Sequence, residues 1–346
     1  MKVLILGASY GSLLSTKLAM AGHDVTLVCR EATAALINEE GTFVRLTLRD
    51  EDEPRVIASR ELPGKVDAAT PEDVSLEGLD LVALAMQEPQ YRVPEVKALM
   101  RRIAEARVPC LSIMNMPPPP YLARIAALEG ADLDGAFDDP SVWTGFEPAL
   151  MTLCSPDPQA FRPPEEKANF LHVGLPTNFK SAPFDDEAAS AMLRRLEEDI
   201  AAVTIDGKDV PVKLRVHDSL FVPLAKWSML MTGNYRCVTE EGTRSIRDAV
   251  HADVEESAAV YAWVDEVARK LGADAEDQVP FEKYARAAEN LAKPSSAARA
   301  LEDGATGIER VDRLVQLIAA KVDMRSDSVD RTVRVVDDRL AANAAS

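Results

Sequence analysis

A short apolar run, residues 3–6, stops on Gly7-Ala8-Ser9-Tyr10-Gly11-Ser12, and the segment beyond it carries Leu13, Leu14, Leu18 and Ala21. Such a run closed by a glycine turn reads as a buried strand, and the spacing that follows reads as a helix. Strand, glycine turn and helix in that order aim unpaired amides and the positive helix end at an anion, above all a dinucleotide pyrophosphate. The usual fingerprint is GxGxxG, whereas here Ser9 takes the place of the second glycine. Its Cβ costs room near a phosphate, while its hydroxyl can donate to a phosphate oxygen. The same residues would also serve as a plain tight turn.

Strand-like and helical segments alternate through the first half, with strands expected at 2–6, 24–29, 42–48, 79–86, 108–114 and 169–173. That alternation predicts an α/β fold: an N-terminal Rossmann-type, doubly wound parallel sheet. Prolines 117–120 are expected to form a stiff extended or turn segment. Beyond position 184 the periodicity is helical, over 185–202, 217–233, 245–271, 281–291, 308–322 and 328–341. Asp186 and Ser245 suit helix starts, and Gly233, Gly272 and Gly304 suit helix ends. The chain of 346 residues, 47% of them hydrophobic, is long enough for two cored domains. The expected division is 1–184 for a nucleotide-binding domain and 185–346 for an all-helical substrate domain.

Charge and cysteine usage narrow the function classes. Lys and Arg number 39 against 57 Asp and Glu, a net charge of −18, which repels polyanions and argues against nucleic acid or an anionic membrane as partner. Cys29, Cys110, Cys154 and Cys237 are widely spaced with no CxxC, which fits free thiols in a reducing cytoplasm better than a disulfide frame or zinc site. Four histidines without ligand spacing predict no metal. The opening residues lack the pattern of a signal peptide, and the apolar runs fall short of a bilayer span, so a soluble, cytoplasmic protein is expected.

Arg30 follows the second expected strand, where an NAD-specific site carries an acid for the ribose hydroxyls. A cation there suits the 2′-phosphate of NADP(H), although an arginine ending a strand in solvent, next to Glu31, is the plainer account. Lys226 stands in the apolar stretch PLAKWSMLMTG, where an unpaired charge would be costly to bury. It either snorkels to water or does chemistry. Gly233, seven residues on, lies nearly over Lys226 on a regular helix, leaving room for a flat cofactor ring or another helix.

The stretch GSLLSTKLAMAGHDVTLVCR with Gly7-Ala8-Ser9 before it resembles the amino-terminal signature of the ketopantoate reductase (2-dehydropantoate 2-reductase) family, within the 6-phosphogluconate dehydrogenase-like superfamily. The likeness continues in the family's order over nearly the whole chain. It takes in Glu40-Gly41 opening a third strand, the strand from Asp80 to Met86, and Asn115 ending the strand before the prolines. Further on come residues 169–173 with Gly174 and Pro176, Ala225-Lys226-Trp227, Gly233-Asn234, Lys293-Pro294-Ser295-Ser296, and Gly304 ahead of Glu309.

The resemblance implies an NADPH-dependent reduction of a 2-oxo acid in a cleft between two domains. Lys226 would be the general acid and Glu309 would act with it on the substrate, while Asn115, Asn234 and Ser296 bind the substrate. Gly7, Ser9, Tyr10, Gly11, Ser12, Arg30, Gln87 and Asn115 would hold the cofactor. Hydride addition builds negative charge on oxygen, and a positioned ammonium stabilises that charge and supplies the proton. Asn115 could equally be a turn residue, Ser295 could replace Ser296, and either serine could be a helix cap. Ungapped counting would put Ile308 at the glutamate's place, with Asp312 a substitute. A small-molecule substrate and a homodimer fall within the same expectation.

The sequence also departs from the family. Gln87 stands where a lysine is usual, Leu230 replaces one of two asparagines spaced four apart, and Met116-Pro117-Pro118 replaces a glycine-containing turn. These changes favour a larger or less acidic substrate. They leave two alternatives: an opine-type or imine reductase, and a non-catalytic NADP(H)-binding sensor.

Overall fold

The computed structural model describes residues 1–345 and divides the chain into two compact units. The first holds Met1–Met86, Gln90–Tyr121 and Ser141–Asp218. Its elements begin with β1 (Lys2–Leu6), α1 (Gly11–Met20), β2 (Asp24–Val28), α2 (Glu31–Glu40), β3 (Phe43–Leu46), β4 (Arg55–Ala58), β5 (Val66–Ala69) and β6 (Leu81–Leu84). After these come α3 (Pro94–Ala106), β7 (Cys110–Ile113), α4 (Pro119–Leu122), β8 (Met151–Ser155), β9 (Gln159–Phe161), β10 (Phe170–Leu175) and β11 (Phe179–Ser181). α5 (Glu187–Ala201), the hairpin of β12 (Thr204–Ile205) and β13 (Lys208–Asp209), and β14 (Leu214–Val216) complete it.

Eight strands form the main sheet in the order β14-β11-β8-β7-β6-β1-β2-β5. From β8 to β5 all neighbours are parallel, and β11 reverses against β8. β1 is central and buried on both faces, which is why Val3, Leu4, Ile5 and Leu6 are all apolar. The chain leaves β1 toward β2 on one side and returns as β6 on the other. The carboxyl ends of β1 and β6 therefore mark the switch point where open α/β sheets bind ligands.

Several expectations need correction. Residues 42–48 do not form the third strand of the main sheet. β3 pairs with β4 and β10 in a separate four-stranded sheet, and β5 takes the place beside β2. The cause is visible in β3 itself, where half-exposed Phe43 and Arg45 alternate with buried Val44 and Leu46, as in a sheet covered on one face only. Arg45 needs that open side to reach Glu166 at 2.6 Å.

The boundary also moves, from 184 to Asp218. α5 buries Leu193, Leu196 and Ile200 in the same core as Leu13, Leu14 and Leu18 of α1. Helical periodicity shows which face is apolar and not which core receives it.

The second unit, Gln87–Pro89, Leu122–Pro140 and Ser219–Ser346, is helical. It contains α6 (Lys226–Met229) running into a π turn (Leu230–Asn234), then α7 (Ile246–His251), α8 (Val254–Leu271), α9 (Phe281–Ala288), α10 (Ser296–Glu302), α11 (Val311–Lys321) and α12 (Asp327–Ala344). Asp186 and Ser245 cap α5 and α7 as expected, and Gly272 ends α8 at φ +117°. The helix expected over 245–271 is split because the Asp253 side chain accepts the Glu256 amide and starts α8 afresh. The proline run is likewise not wholly extended: Pro119 opens α4, where a missing N–H costs nothing. Among the described residues no helix is long and apolar enough to cross a membrane.

Candidate active site

In the first unit, Gly7 follows β1 at φ +106°, and a Cβ there would meet the Ala85 carbonyl oxygen at 2.6 Å and Met86 Cγ at 2.8 Å. Both the backbone conformation and the approach of the chain leaving β6 demand glycine. Gly11 answers a different need, since its Cβ would lie 2.6 Å from Ile5 Cγ2 where α1 crosses β1. It performs the helix-on-strand packing for which the dinucleotide fingerprint uses its last glycine. The Gly7 amide donates to the Val28 carbonyl at 3.0 Å, tying the turn to β2.

Two side chains of the turn are committed internally. The buried Ser12 hydroxyl donates to the Ala8 carbonyl. Tyr10 donates to the Pro158 carbonyl at 2.7 Å and stands edge-on to Phe179. Burial raises the Tyr10 pKa well beyond its ordinary value, so the phenol stays neutral. Among the described residues, the Ser9, Tyr10 and Gly11 amides donate to no backbone carbonyl. Ser9 is exposed, and no acid sits in the first turn of α1 to offset the helix dipole. A cradle that a Cβ at position 7 would fill, lined with unspent amides, fits a pyrophosphate.

Arg30 is exposed at the N-cap of α2, directly beyond β2, and among the described residues it enters no ion pair. Asn115 lies half-buried just past the carboxyl end of β7. The turn, Arg30 and Asn115 thus follow three strands of one parallel set, at the sheet edge that receives ligands.

In the second unit, Lys226 is half-buried between Ala225 and Trp227, which are 5% and 1% exposed. Asn234 lies eight positions further along the chain. On a regular helix, at about 100° per residue, that spacing would leave Asn234 roughly 80° around from Lys226. The π turn absorbs one residue, so about seven regular steps remain and the two backbone positions fall within about 20° of one another.

Side chains hold this irregular segment by taking its carbonyls. Tyr284 donates to Met229 O at 3.1 Å, Cys237 to Gly233 O at 3.2 Å and Ser295 to Asn234 O at 2.7 Å. Gly233 does not end a helix. It lies inside the π turn, and the space left by its missing side chain is taken by α9, because a Cβ would meet the Tyr284 hydroxyl at 1.9 Å.

Ser295 is buried and caps α10, accepting the Ala298 amide at 3.1 Å, while Ser296 is the exposed first residue of that helix. Glu309 is 9% exposed and precedes α11; Ile308 beside it is buried. Asp312 is fully buried, with both carboxylate oxygens gripped by Arg310 at 2.9 Å, so it is spent as a substitute for Glu309.

Gln87 is exposed, and its neighbour Glu88 is 3% exposed, accepting the Asp138 amide at 3.2 and 3.3 Å. Burial pushes the Glu88 pKa up to about 7, and the Asp138 and Glu309 carboxylates add to the shift. Sequence reasoning missed this residue. One acid among 57 carries no local sign of burial when the burial comes from segments distant in sequence.

No protein-family model and no curated protein matches this sequence. Solved structures do. A 2-dehydropantoate 2-reductase from Methylococcus capsulatus matches with TM-score 0.70 at 12% identity, over 100% of this chain and 99% of that one. A protein of Ralstonia solanacearum described as a ketopantoate reductase matches with TM-score 0.72 at 16% identity, over 99% and 98%. The fold is that of the ketopantoate reductases. D-mandelate dehydrogenase in a ternary structure with NADH and anilino(oxo)acetate shares it, with TM-score 0.66 at 13% identity over 99% of both chains. At these identities the likeness carries the ketopantoate reductase fold and leaves substrate and cofactor to be argued from the residues.

Proposed function

We propose that this chain is a divergent member of the ketopantoate reductase family, an NADPH-dependent reductase of a 2-oxo acid or related carbonyl compound. The observation that carries the reading is the π turn setting half-buried Lys226 and Asn234 on one face of a helix in a chain with an unspent glycine cradle. When bound, the dihydronicotinamide supplies the hydride. Lys226 holds the proton at its Nζ and delivers it to the carbonyl oxygen as negative charge develops there. Asn234, Ser296 and Glu309 orient the substrate, and Asn115 serves both ligands. The D-mandelate dehydrogenase of the same fold, with NADH and an oxoacetate derivative, supports a nicotinamide cofactor and a 2-oxo acid class of substrate.

Gly7, Ser9 and Gly11 would hold the pyrophosphate through backbone amides, with Tyr10 and Ser12 supporting the turn from behind. Arg30 supports NADPH over NADH, since an exposed guanidinium with no carboxylate partner among the described residues suits a 2′-phosphate. Arg30→Ala is expected to raise the Kd for NADPH about tenfold while leaving NADH binding unchanged, read by fluorescence titration; about 1.4 kcal/mol corresponds to that factor. Equal loss for both cofactors would remove Arg30 from 2′-phosphate recognition.

Gln87 and the buried Glu88 favour a second reading, reduction of a C=N bond, because the 87–89 segment offers no cation to an anionic substrate. A screen for NADPH consumption with 2-oxo acids alone, and with 2-oxo acids plus amines, separates the two. Turnover only in the mixtures selects the imine reductase. Tight NADPH binding without turnover in either set selects a non-catalytic sensor.

A further inference from the structure

We infer that two buried hydroxyls, those of Tyr235 and Ser295, form the frame that fixes Asn234, Ser296 and Glu309 relative to one another, with Tyr235 a positioning residue for Glu309. The substrate-binding part of this inference rests on the proposed function. Tyr235 follows Asn234 directly in the chain, and its side chain crosses to a segment 74 residues away. There it donates to the Glu309 carbonyl and accepts the Val311 amide at 3.0 Å, so one hydroxyl brackets Glu309 on both sides. Only a group that donates and accepts at once can satisfy a carbonyl and an amide together.

Tyr235 is 3% exposed, and burial, reinforced by the Asp312 and Glu309 carboxylates, raises its pKa far enough to keep the donor proton in place. Arg310 secures the segment from its other side by gripping Asp312 and pairing with Asp337 at 2.8 Å. Ser295 does for Asn234 what Tyr235 does for Glu309. Its hydroxyl donates to the Asn234 carbonyl and accepts the Ala298 amide, which also fixes Ser296 as the first residue of α10. The frame thus ties three parts of the second unit, at Asn234, Ser296 and Glu309, through backbone groups.

Tyr235→Phe deletes one oxygen and leaves two buried backbone groups unpaired. The control is Tyr261→Phe, because Tyr261 is equally buried in the same unit and donates at 2.7 Å to Val279, remote in sequence from every candidate residue. Hydrogen exchange at the Val311 amide is expected to rise at least tenfold in Tyr235→Phe and to stay at the wild-type rate in Tyr261→Phe. With a 2-oxo acid found by the screen, KM is expected to rise about tenfold in Tyr235→Phe alone, with kcat within about threefold and NADPH affinity unchanged.

Unchanged exchange at Val311 overturns the frame. Raised exchange with unchanged KM, or an equal rise in KM in Tyr261→Phe, overturns the positioning role. If the wild-type protein turns over no substrate, the proposed function fails while the exchange measurement still decides the frame. If Tyr235→Phe does not fold, Ser295→Ala is expected to raise exchange at the Ala298 amide and KM together, with Ser295→Thr restoring both. No change in Ser295→Ala overturns the proposal.

Discussion

Lys226→Ala is expected to lower kcat about a thousandfold while leaving the Kd for NADPH within about twofold of wild type. General acids contribute roughly 10²–10⁴ to rate, and stabilisation of a developing oxyanion by a fixed cation draws on the same group, so a loss of about 4 kcal/mol falls within range. The cofactor arm follows from the division of labour along the chain. Gly7, Gly11 and Arg30 belong to one compact unit and Lys226 to the other, so removing the lysine leaves the phosphate cradle intact. Lys226→Arg keeps the positive charge but offers a planar fork with a much higher pKa, so it should recover only part of the rate. Steady-state kinetics with a substrate from the screen, beside a fluorescence titration, checks both arms. A variant within tenfold of wild-type kcat would take Lys226 out of the mechanism.

What the sequence disclosed was whatever depended on near neighbours. β1, α1 and β2 are legible because a run of apolar residues, a glycine turn and a 3.6-residue period are all local signals. Gly7 is legible as a turn glycine, yet its strongest constraint is the Ala85 carbonyl at 2.6 Å, nearly 80 residues further along the chain. The same limit explains the misplaced strand and boundary. The alternation of Phe43, Val44, Arg45 and Leu46 shows a one-sided strand without naming its partner, and α5 shows an apolar stripe without naming its core.

At the candidate site the hidden elements are also long-range. The π turn depends on carbonyl partners from Tyr284 and Ser295, neither of which sits near residue 230 in sequence. Asp312 reads as a free acid until Arg310 is seen to hold both of its oxygens. Lys226 and Asn234 were legible as residues, and only the irregular backbone between them shows why a spacing of eight can put them on one face.

The other large effect concerns stability and involves a lysine that the sequence placed in α1 without comment. Lys17 is 1% exposed, and its ammonium donates to the Val210 and Pro211 carbonyls at 3.3 and 3.1 Å, with no carboxylate bonded to it among the described residues. Burial, helped by nearby Lys213 and opposed by Asp209, lowers its pKa to about 7 from an ordinary 10.5. Between those two values the unfolded chain binds a proton that the folded chain has lost, so stability rises with pH across the window. Below about pH 7 both states are protonated and the folded state bears the full cost of the buried charge; above about pH 10.5 that cost is gone.

The unfolding free energy of wild type minus that of Lys17→Met should therefore rise by roughly 1–2 kcal/mol from pH 7 to 8.5, in the direction set by the lowered Lys17 pKa. Denaturant titrations of both proteins at several pH values in this range give the comparison. Groups shared by the two proteins cancel in it, including the Cys29 thiol, which burial pushes up to about 11 and which opposes the trend at higher pH. A difference that stays flat would mean that Lys17 keeps its proton throughout, held by those two carbonyls more firmly than its burial opposes.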